Sequence, residues 1–387
     1  MKKILIVNNN FHIGGVQKAL ISLLWEIKDK YDVTLLLLYN NGEYKNDVPD
    51  GVTVISAGGF YRYIGMTKND VKTVGDKLGR LFFGAISRLF GRRYAVKFMS
   101  IGQKTLTGYD AAISYLHNSS DKAFYGGCND FVLKHVDTKK KITFLHCDFI
   151  MCNANTIQNE AQYSKFDTVA ACSQGCANTF IKGFPNLKEK VHVVNNCHRF
   201  DEILKAAHEA PVTMSEDKIN IVTVSRMSSE KGVERGVSAI AKLGDLKNKI
   251  HYYIVGDGAR MALVQQEIKQ NKLEDTVTLC GLLKNPYGYI ASADLLLIPS
   301  YSEAAPLVIG EAAFLGIPIL STETSSAKDM IEQTQYGWVC ENSEDGIVES
   351  LKYLISASEK IDAAKKSLRN RDMNNNHAIE KFCECIE

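Results

Sequence analysis

Two pairs of charged residues in the C-terminal half of this chain have the types and spacing that phosphate and sugar-hydroxyl chemistry requires. Arg226 and Lys231 stand five positions apart in Val224-Ser225-Arg226-Met227-Ser228-Ser229-Glu230-Lys231-Gly232. The apolar run before them predicts a strand from Ile219 to Ser225, which delivers Arg226 to its carboxyl end, with Lys231 opening the next helix. Two cations and a helix N-terminus on one spot suit a diphosphate. Glu303 and Glu311 stand eight positions apart in Pro299-Ser-Tyr-Ser-Glu303-Ala-Ala-Pro306-Leu-Val-Ile-Gly310-Glu311. Here a strand ends at Pro299, a loop carries Glu303 and a helix opens at Pro306, a residue suited to a first helical turn. Neither Ala304 nor Ala305 offers a capping oxygen, so the N–H groups of that turn are available to an anion. Glu311 lies among Val308, Ile309, Ala312 and Leu315. A carboxylate in so apolar a helix needs a partner, and two vicinal ribose hydroxyls would supply one.

Glycines follow two of the strands. Gly256 and Gly258 come directly after Ile250–Val255, but the third glycine of a dinucleotide fingerprint would fall at Met261, so a nicotinamide reading fails. Gly14 and Gly15 follow the first strand, Ile4–Val7, and paired glycines let backbone approach a ligand closely. His146 ends the predicted strand Ile142–His146.

These residues are positioned by a repeated alternation of apolar strands and amphipathic helices. In the first half, strands are predicted at 4–7, 33–38, 111–115, 142–146, 168–172 and 191–195, with a helix at 16–28. A stretch without strand period, 198–217, reads as a linker. Alternation then restarts, with strands at 219–225, 250–255, 276–280, 295–299 and 318–321 and helices at 231–243, 259–270, 286–292 and 306–315. Uninterrupted apolar strands joined by helices imply parallel sheets covered on both faces. The expected fold is α/β, two Rossmann-like doubly wound domains facing a central cleft. Residues 1–198 would form the acceptor-binding domain and 199–370 the donor-binding domain, with 371–387 a tail packing back on the first.

The whole string from Pro299 through Gly316-Ile317-Pro318 resembles the E-x7-E signature of family 4 of the retaining glycosyltransferases (glycosyl transferases group 1), which have the GT-B fold. The resemblance is strongest over 219–340. It implies that Glu303 meets the donor sugar and Glu311 the nucleotide ribose, and that Arg226 and Lys231 neutralise the leaving nucleoside diphosphate. It also implies that Gly256 and Gly258 form a turn under the nucleotide, that Leu282 and Leu283 sit beside the base, and that Gly14 and Gly15 face the donor phosphates. His146 would contact the donor sugar, and Ala304, Ala305, Pro306 and Leu307 would complete the donor site. Members of the family often carry Gly-Phe where this chain has Ala304-Ala305, a departure that bears on the choice of sugar.

The function so implied is retaining transfer from a nucleoside-diphosphate sugar, most commonly a UDP-sugar, to a saccharide or lipid-linked saccharide acceptor in bacterial surface polysaccharide synthesis. No nucleophilic carboxylate is evident, and front-face displacement is the usual description of the family's mechanism. No Asp-x-Asp occurs in the chain, and neither a metal nor another cofactor is expected. A nucleotide-sugar epimerase of the same fold and a catalytically silent sugar-nucleotide-binding subunit are the alternatives.

Composition fits this reading. The chain has 387 residues, 45% hydrophobic and 23% charged, the balance of a folded protein of about two domains. A net charge of +2 is too small for a nucleic-acid partner across the whole surface. Four apolar residues after Met1-Lys2-Lys3 are too few for a signal-peptide core, so a cytoplasmic location is expected. Ten cysteines read as scattered thiols, and Cys383 with Cys385 makes only half of a metal site. Residues 72–104 stand apart. They carry Lys72, Lys77, Arg80, Arg88, Arg92, Arg93, Lys97 and Lys104 against a single acid, Asp76. Phe82, Phe83, Ile86, Leu89, Phe90 and Phe98 are compatible with an apolar helical stripe there. Basic and aromatic residues so mixed suggest an anionic membrane surface as a partner, which would make the protein peripheral on the inner face of the plasma membrane.

Overall fold

The computed structural model describes residues 1–387 and divides into two compact units, Met1–Cys197 with Asn375–Glu387, and His198–Asn374. No helix is long and apolar enough to cross a membrane.

The first unit holds strands β1 (Lys3–Asn8), β2 (Asp32–Leu37), β3 (Thr53–Ser56), β4 (Ala111–Ser114), β5 (Lys140–Leu145), β6 (Thr168–Ala171) and β7 (Val191–Val193). They form one sheet in the order β3-β2-β1-β4-β5-β6-β7. All neighbours are parallel, with Ile4 opposite Val33 on one side and Ala111 on the other. Ile4, Leu5, Ile6 and Val7 are all buried, so both faces of β1 are covered. This is why the run is continuous rather than alternating. The second unit holds β8 (Ile219–Val224), β9 (Ile250–Val255), β10 (Val277–Gly281), β11 (Leu295–Ile298), β12 (Ile319–Thr322) and β13 (Gly337–Cys340). Their order is β10-β9-β8-β11-β12-β13, again all parallel. Each sheet therefore reverses its winding once, between β1 and β4 and between β8 and β11. Ligands of doubly wound sheets bind beyond the strand ends at such a reversal.

Three features depart from or add to the expectations. The segment 198–217, expected to hold the linker, starts at the boundary of the second unit and also contains the helix Phe200–Glu209. That helix buries Ile203 and Ala207 in the second unit, packs Phe200 against Phe314 with ring centroids 4.7 Å apart, and receives the Asn285 side-chain amide at Ala206 O, 2.6 Å away. Phe200, Ile203, Leu204 and Ala207 stand at helical spacing, a period that attention to strands passed over. β3 and β13 escaped notice because each is four residues long and neither is fully buried. Third, the apolar stripe in 74–90 does not run as expected. Thr73 caps the helix Val74–Phe90 by accepting from Asp76 N at 3.0 Å. Phe83 points into the core, while Val74, Leu78, Leu81, Phe82 and Leu89 are exposed. Arg92 is buried too, within 3.5 Å of Asp130 and donating to Asn159 Oδ1 at 3.0 Å.

The terminal helix Asn376–Ile386 belongs to the first unit, where Ala378, Ile379, Phe382, Cys385 and Ile386 join the core under β1, β2, β4 and β5. Phe382 meets Tyr31 at 6.2 Å and Phe144 at 6.3 Å, and Asn375 donates to Glu26 at 2.7 Å. Cys383 and Cys385, two positions apart on a helix, point to different faces and do not form a chelating pair. Phe382→Ala should destabilise the first unit by about 3–5 kcal/mol, the usual cost of removing a buried phenylalanine. Urea unfolding of wild type and variant checks this, and a shift under about 1 kcal/mol would mean that the helix is only loosely attached.

Candidate functional site

In the second unit the reversal of winding sets the site. β8 and β11 are neighbours, with Leu295 opposite Ile221, and Arg226 and Lys231 follow the first while Glu303 follows the second. The Nζ of Lys231 donates to both carboxylate oxygens of Glu303, at 2.8 and 2.7 Å. Ser300 Oγ donates to the same carboxylate at 2.6 Å. The two charges are mostly enclosed, with side-chain exposures of 20% for Lys231 and 8% for Glu303. An enclosed pair with an additional hydrogen bond is a fixed arrangement, unlike a pair held in water.

Arg226 has a more open setting. Its side chain is 73% exposed and lies 3.5 Å from Glu230. Burial works to raise the Glu230 carboxyl. The Ser228 hydroxyl, which donates to it at 2.6 Å, and the charge of Arg226 outweigh burial and hold it below its usual range. Lys231 ends a short 3-10 turn, Ser229–Lys231, rather than opening the helix, which starts at Val233. Gly232 between them has φ 56°, and a Cβ there would stand 2.4 Å from Pro299 O. Only glycine allows that close passage of the two strand ends.

Gly256 and Gly258 have a related reason to be glycine. A Cβ at Gly256 would fall 1.9 Å from Ser225 O, and one at Gly258 would fall 2.5 Å from Met227 O. The two loops are laced together by Ser225 N to Val255 O at 3.1 Å, Met227 N to Asp257 O at 2.9 Å and Arg260 N to Met227 O at 2.9 Å. The glycines thus hold the loop that carries Arg226. Leu282 is exposed and Leu283 half-buried, just beyond β10.

Pro306 precedes the helix Leu307–Phe314 instead of lying within it, and no side chain caps that N-terminus. The loop before it is held by Ser325 Oγ donating to Glu303 O at 2.7 Å and by Ser326 Oγ donating to Ala304 O. Ala304, Ala305, Pro306 and Leu307 are all half-buried, so this loop and first turn stay accessible. Glu311 is buried in the second turn of the helix, between Ile309 and Ala312.

Sequence reading missed Arg235. It is buried and donates to Pro299 O at 3.2 and 2.7 Å, Ser300 O at 2.9 Å and Asn342 Oδ1 at 2.9 Å. Its guanidinium lies 3.9 Å from the Tyr301 ring centroid. It clamps the chain between β11 and Glu303. The only available signal was an arginine inside the apolar helix Val233–Ala241, where a charge requires partners.

The remaining predicted residues belong to the first unit. Gly14 precedes the helix Gly15–Ile27, which has no side-chain cap. Gly14 has φ −177°, an extended value open to any residue, and a Cβ at Gly15 would meet nothing within 4 Å. What the glycines provide there is an uncovered backbone. The loop before them is fixed by His12, whose Nε2 lies 2.8 Å from Asp70 Oδ2 and whose Nδ1 lies 3.2 Å from Glu43 Oε2. His146 packs its ring 4.7 Å from Tyr115, and its Nε2 is enclosed without a hydrogen-bond partner. Burial, with the nearby His117 adding to it, pushes the His146 imidazole down to about 3. It is neutral at physiological pH and can act there only as a neutral donor or acceptor.

The Lys231–Glu303 pair separates stability from chemistry. Lys231→Met leaves a nearly enclosed carboxylate with one hydroxyl partner and should destabilise the second unit by on the order of 2–4 kcal/mol. Arg226→Met, at an exposed side chain, should leave stability within about 0.5 kcal/mol of wild type. Denaturant melts of both variants decide the point, and equal stabilities would show that the pair is energetically neutral.

Comparison with known proteins shows what this chain is similar to. Residues 204–371 match the family model described as glycosyl transferases group 1. Among curated relatives, the amylovoran biosynthesis glycosyltransferase AmsK of Erwinia amylovora is 25% identical over 181 residues, 44% of each chain. The putative colanic acid biosynthesis glycosyltransferase WcaL of Escherichia coli is 28% identical over 137 residues, 33% of this chain and 34% of its own. These alignments span less than half the length of the relatives. Over the whole chain, the crystal structure of Anabaena HepE in complex with UDP superposes with a TM-score of 0.67 at 17% identity, covering 99% of this chain and 98% of HepE. Residues 204–371 are thus similar to the glycosyl transferases group 1 family, and the two α/β units share the GT-B fold of HepE.

Proposed function

We propose that the chain is a retaining glycosyltransferase that moves a hexosyl group from a UDP-sugar to a saccharide or lipid-linked saccharide, in the synthesis of a bacterial surface polysaccharide. The observation that carries this reading is Glu303, held by Lys231 and Ser300 where β8 and β11 end, with the uncapped helix bearing Glu311 directly after it. The names of AmsK and WcaL support the polysaccharide context, and UDP bound to HepE supports the nucleotide.

In this mechanism the bond from the anomeric carbon to the diphosphate breaks while the bond to the acceptor oxygen forms on the same face. The acceptor proton passes to the departing phosphate oxygen. The protein's share is placement and charge stabilisation. Arg226 and Lys231 bring two positive charges and the helix N-terminus at Leu307 brings a partial one. Glu303 keeps Lys231 oriented and accepts hydroxyls of the donor sugar. Glu311 accepts from the ribose. Arg226 and Lys231 take over the neutralising role that a divalent metal could play, and no metal enters the reaction. In the first unit, the uncovered backbone at Gly14 and Gly15 and the neutral His146 are the groups offered to phosphate and sugar.

The helix Val74–Phe90 supports a lipid-linked acceptor. Val74, Leu78 and Leu89 are 75%, 63% and 71% exposed. Lys77, Arg88, Arg93 and Lys97 are exposed around them, whereas Arg80 turns inward to donate to Tyr63 O at 3.1 Å. An apolar face rimmed by cations suits an anionic leaflet, at about 1 kcal/mol per cation near the surface.

Calorimetry and turnover test the donor site. Glu311→Ala should weaken UDP binding by about 1.5–3 kcal/mol, the value of a hydrogen bond to a charged group. Glu303→Gln should abolish most turnover yet keep or raise UDP affinity, because it releases Lys231 toward the phosphate. Loss of UDP binding in both variants alike would end the assignment of separate roles. Turnover of a labelled UDP-sugar should survive a chelator and fail in Arg226→Met. Product mass then separates transfer from epimerisation, and absence of any turnover would leave a sugar-nucleotide-binding subunit.

Co-sedimentation with vesicles tests the surface. Reversing Lys77, Arg88, Arg93 and Lys97 to Glu should abolish binding to vesicles containing anionic lipid. Binding indifferent both to lipid charge and to these changes would favour a soluble acceptor.

A further inference from the structure

The first unit carries a group of ligating side chains that the transfer reaction does not use. His117 follows β4, and Cys147 and Cys152 follow the neighbouring strand β5. One ring nitrogen of His117 and the two sulfurs all lie within 4.8 Å of one another. We propose that these three residues form a binding site for a soft divalent cation, zinc, with a fourth coordination position open.

The local chain is built to bring them together. Asp148 Oδ1 accepts from Ile150 N at 3.1 Å and Met151 N at 3.0 Å, and Cys152 N donates to Asp148 O at 3.0 Å. This turn folds Cys152 back against Cys147. The Cys147 backbone is held by Cys176, whose thiol donates to Cys147 O at 3.0 Å. On the facing strand end, Asn118 N donates to the Tyr163 hydroxyl at 3.0 Å, which fixes the chain at His117. The His117 ring lies 5.5 Å from that of Tyr125.

The polar groups here are not satisfied by the protein alone. His117 is buried, and its Nδ1 is enclosed with no hydrogen-bond partner; the same holds for Nε2 of the adjacent His146. Enclosed polar atoms normally have a partner, and an orphan calls for an explanation such as an ion. Two thiols and an imidazole select zinc over calcium or magnesium, which take oxygen ligands. Zinc–sulfur bonds of about 2.3 Å and zinc–nitrogen bonds of about 2.0–2.1 Å place tetrahedral ligands roughly 3.3–3.8 Å apart. Separations inside 4.8 Å contract to that range by side-chain rotation. Binding exchanges two thiol protons for the cation: Zn²⁺ joins two thiolates and one neutral imidazole, and two protons leave to solvent. With three protein ligands, a water takes the fourth position. The metal would tie together the loops after β4 and β5, on the edge of the sheet where its ligands are expected.

Metal binding by these three residues does not depend on the transferase reading. The test uses the full chain, reduced and stripped of metal, titrated with Co²⁺ as a spectroscopic probe and back-titrated with Zn²⁺. The expected result is one equivalent of Co²⁺ per chain with a thiolate charge-transfer band, displaced by Zn²⁺. Cys152→Ser, at a half-buried position, and His117→Ala should each weaken binding at least tenfold, while Cys280→Ser in the second unit leaves it unchanged. A zinc-dependent rise in Tm that disappears in Cys152→Ser gives a second readout. Absence of the charge-transfer band overturns the proposal. So does binding that survives both Cys147→Ser and Cys152→Ser, or a Cys147–Cys152 disulfide found by mass mapping in a chain that takes up no metal after reduction.

Discussion

The contact between Lys231 Nζ and the Glu303 carboxylate, at 2.7 and 2.8 Å, joins residues 72 positions apart, and the second unit is arranged around the condition that makes it available. β8 and β11 must lie side by side, which happens only where the sheet reverses its winding. Gly232 must pass close enough to Pro299 that no Cβ fits. Arg235 must hold Pro299 and Ser300 by their carbonyls, so that Ser300 and Glu303 present their oxygens in one place. Remove any of these and the loop after β11 has no reason to adopt this path.

Structural and chemical roles are divided among residues of the same type. Arg235 is buried, stacked on Tyr301 and engaged by three backbone bonds, so it can do little except hold the loop. Arg226 is exposed and held only by Glu230, so it is free to turn toward an anion. The helices that follow Gly232 and Pro306 have no side-chain cap, and an uncapped helix start keeps the N–H groups that an anion uses.

The first unit distributes its unusual features over two surfaces. Its strand ends gather two enclosed imidazoles, His117 and His146, each with a ring nitrogen that has no hydrogen-bond partner, and a pair of thiols beside them. Its helix Val74–Phe90 turns a row of large apolar side chains to solvent, while Phe83 and Ser87 on the other face pack inward. Ordinary amphipathic helices bury their apolar residues. This one leaves Val74, Leu78, Leu81, Phe82, Leu89 and Phe90 exposed, a larger apolar face than its packing on the first unit covers.

The α/β class and the parallel sheets were legible in the sequence, because each depends on local pattern. Continuous apolar runs can only be strands buried on both faces, and charges placed at strand ends and inside an apolar helix have to meet something. Short, partly exposed strands were not legible: β3 and β13 bury too few side chains to impose a period. What only the tertiary structure decided is which charge meets which. Spacing brings Arg226 and Lys231 to neighbouring positions, but strand order sets Lys231 against Glu303 while Arg226 stays exposed beside Glu230. In 72–104 it likewise turned Phe83 and Arg92 inward although composition marked them as surface. Pairing across a sheet is fixed by the order in which strands pack, and that order depends on contacts far apart in the chain, which no local spacing encodes.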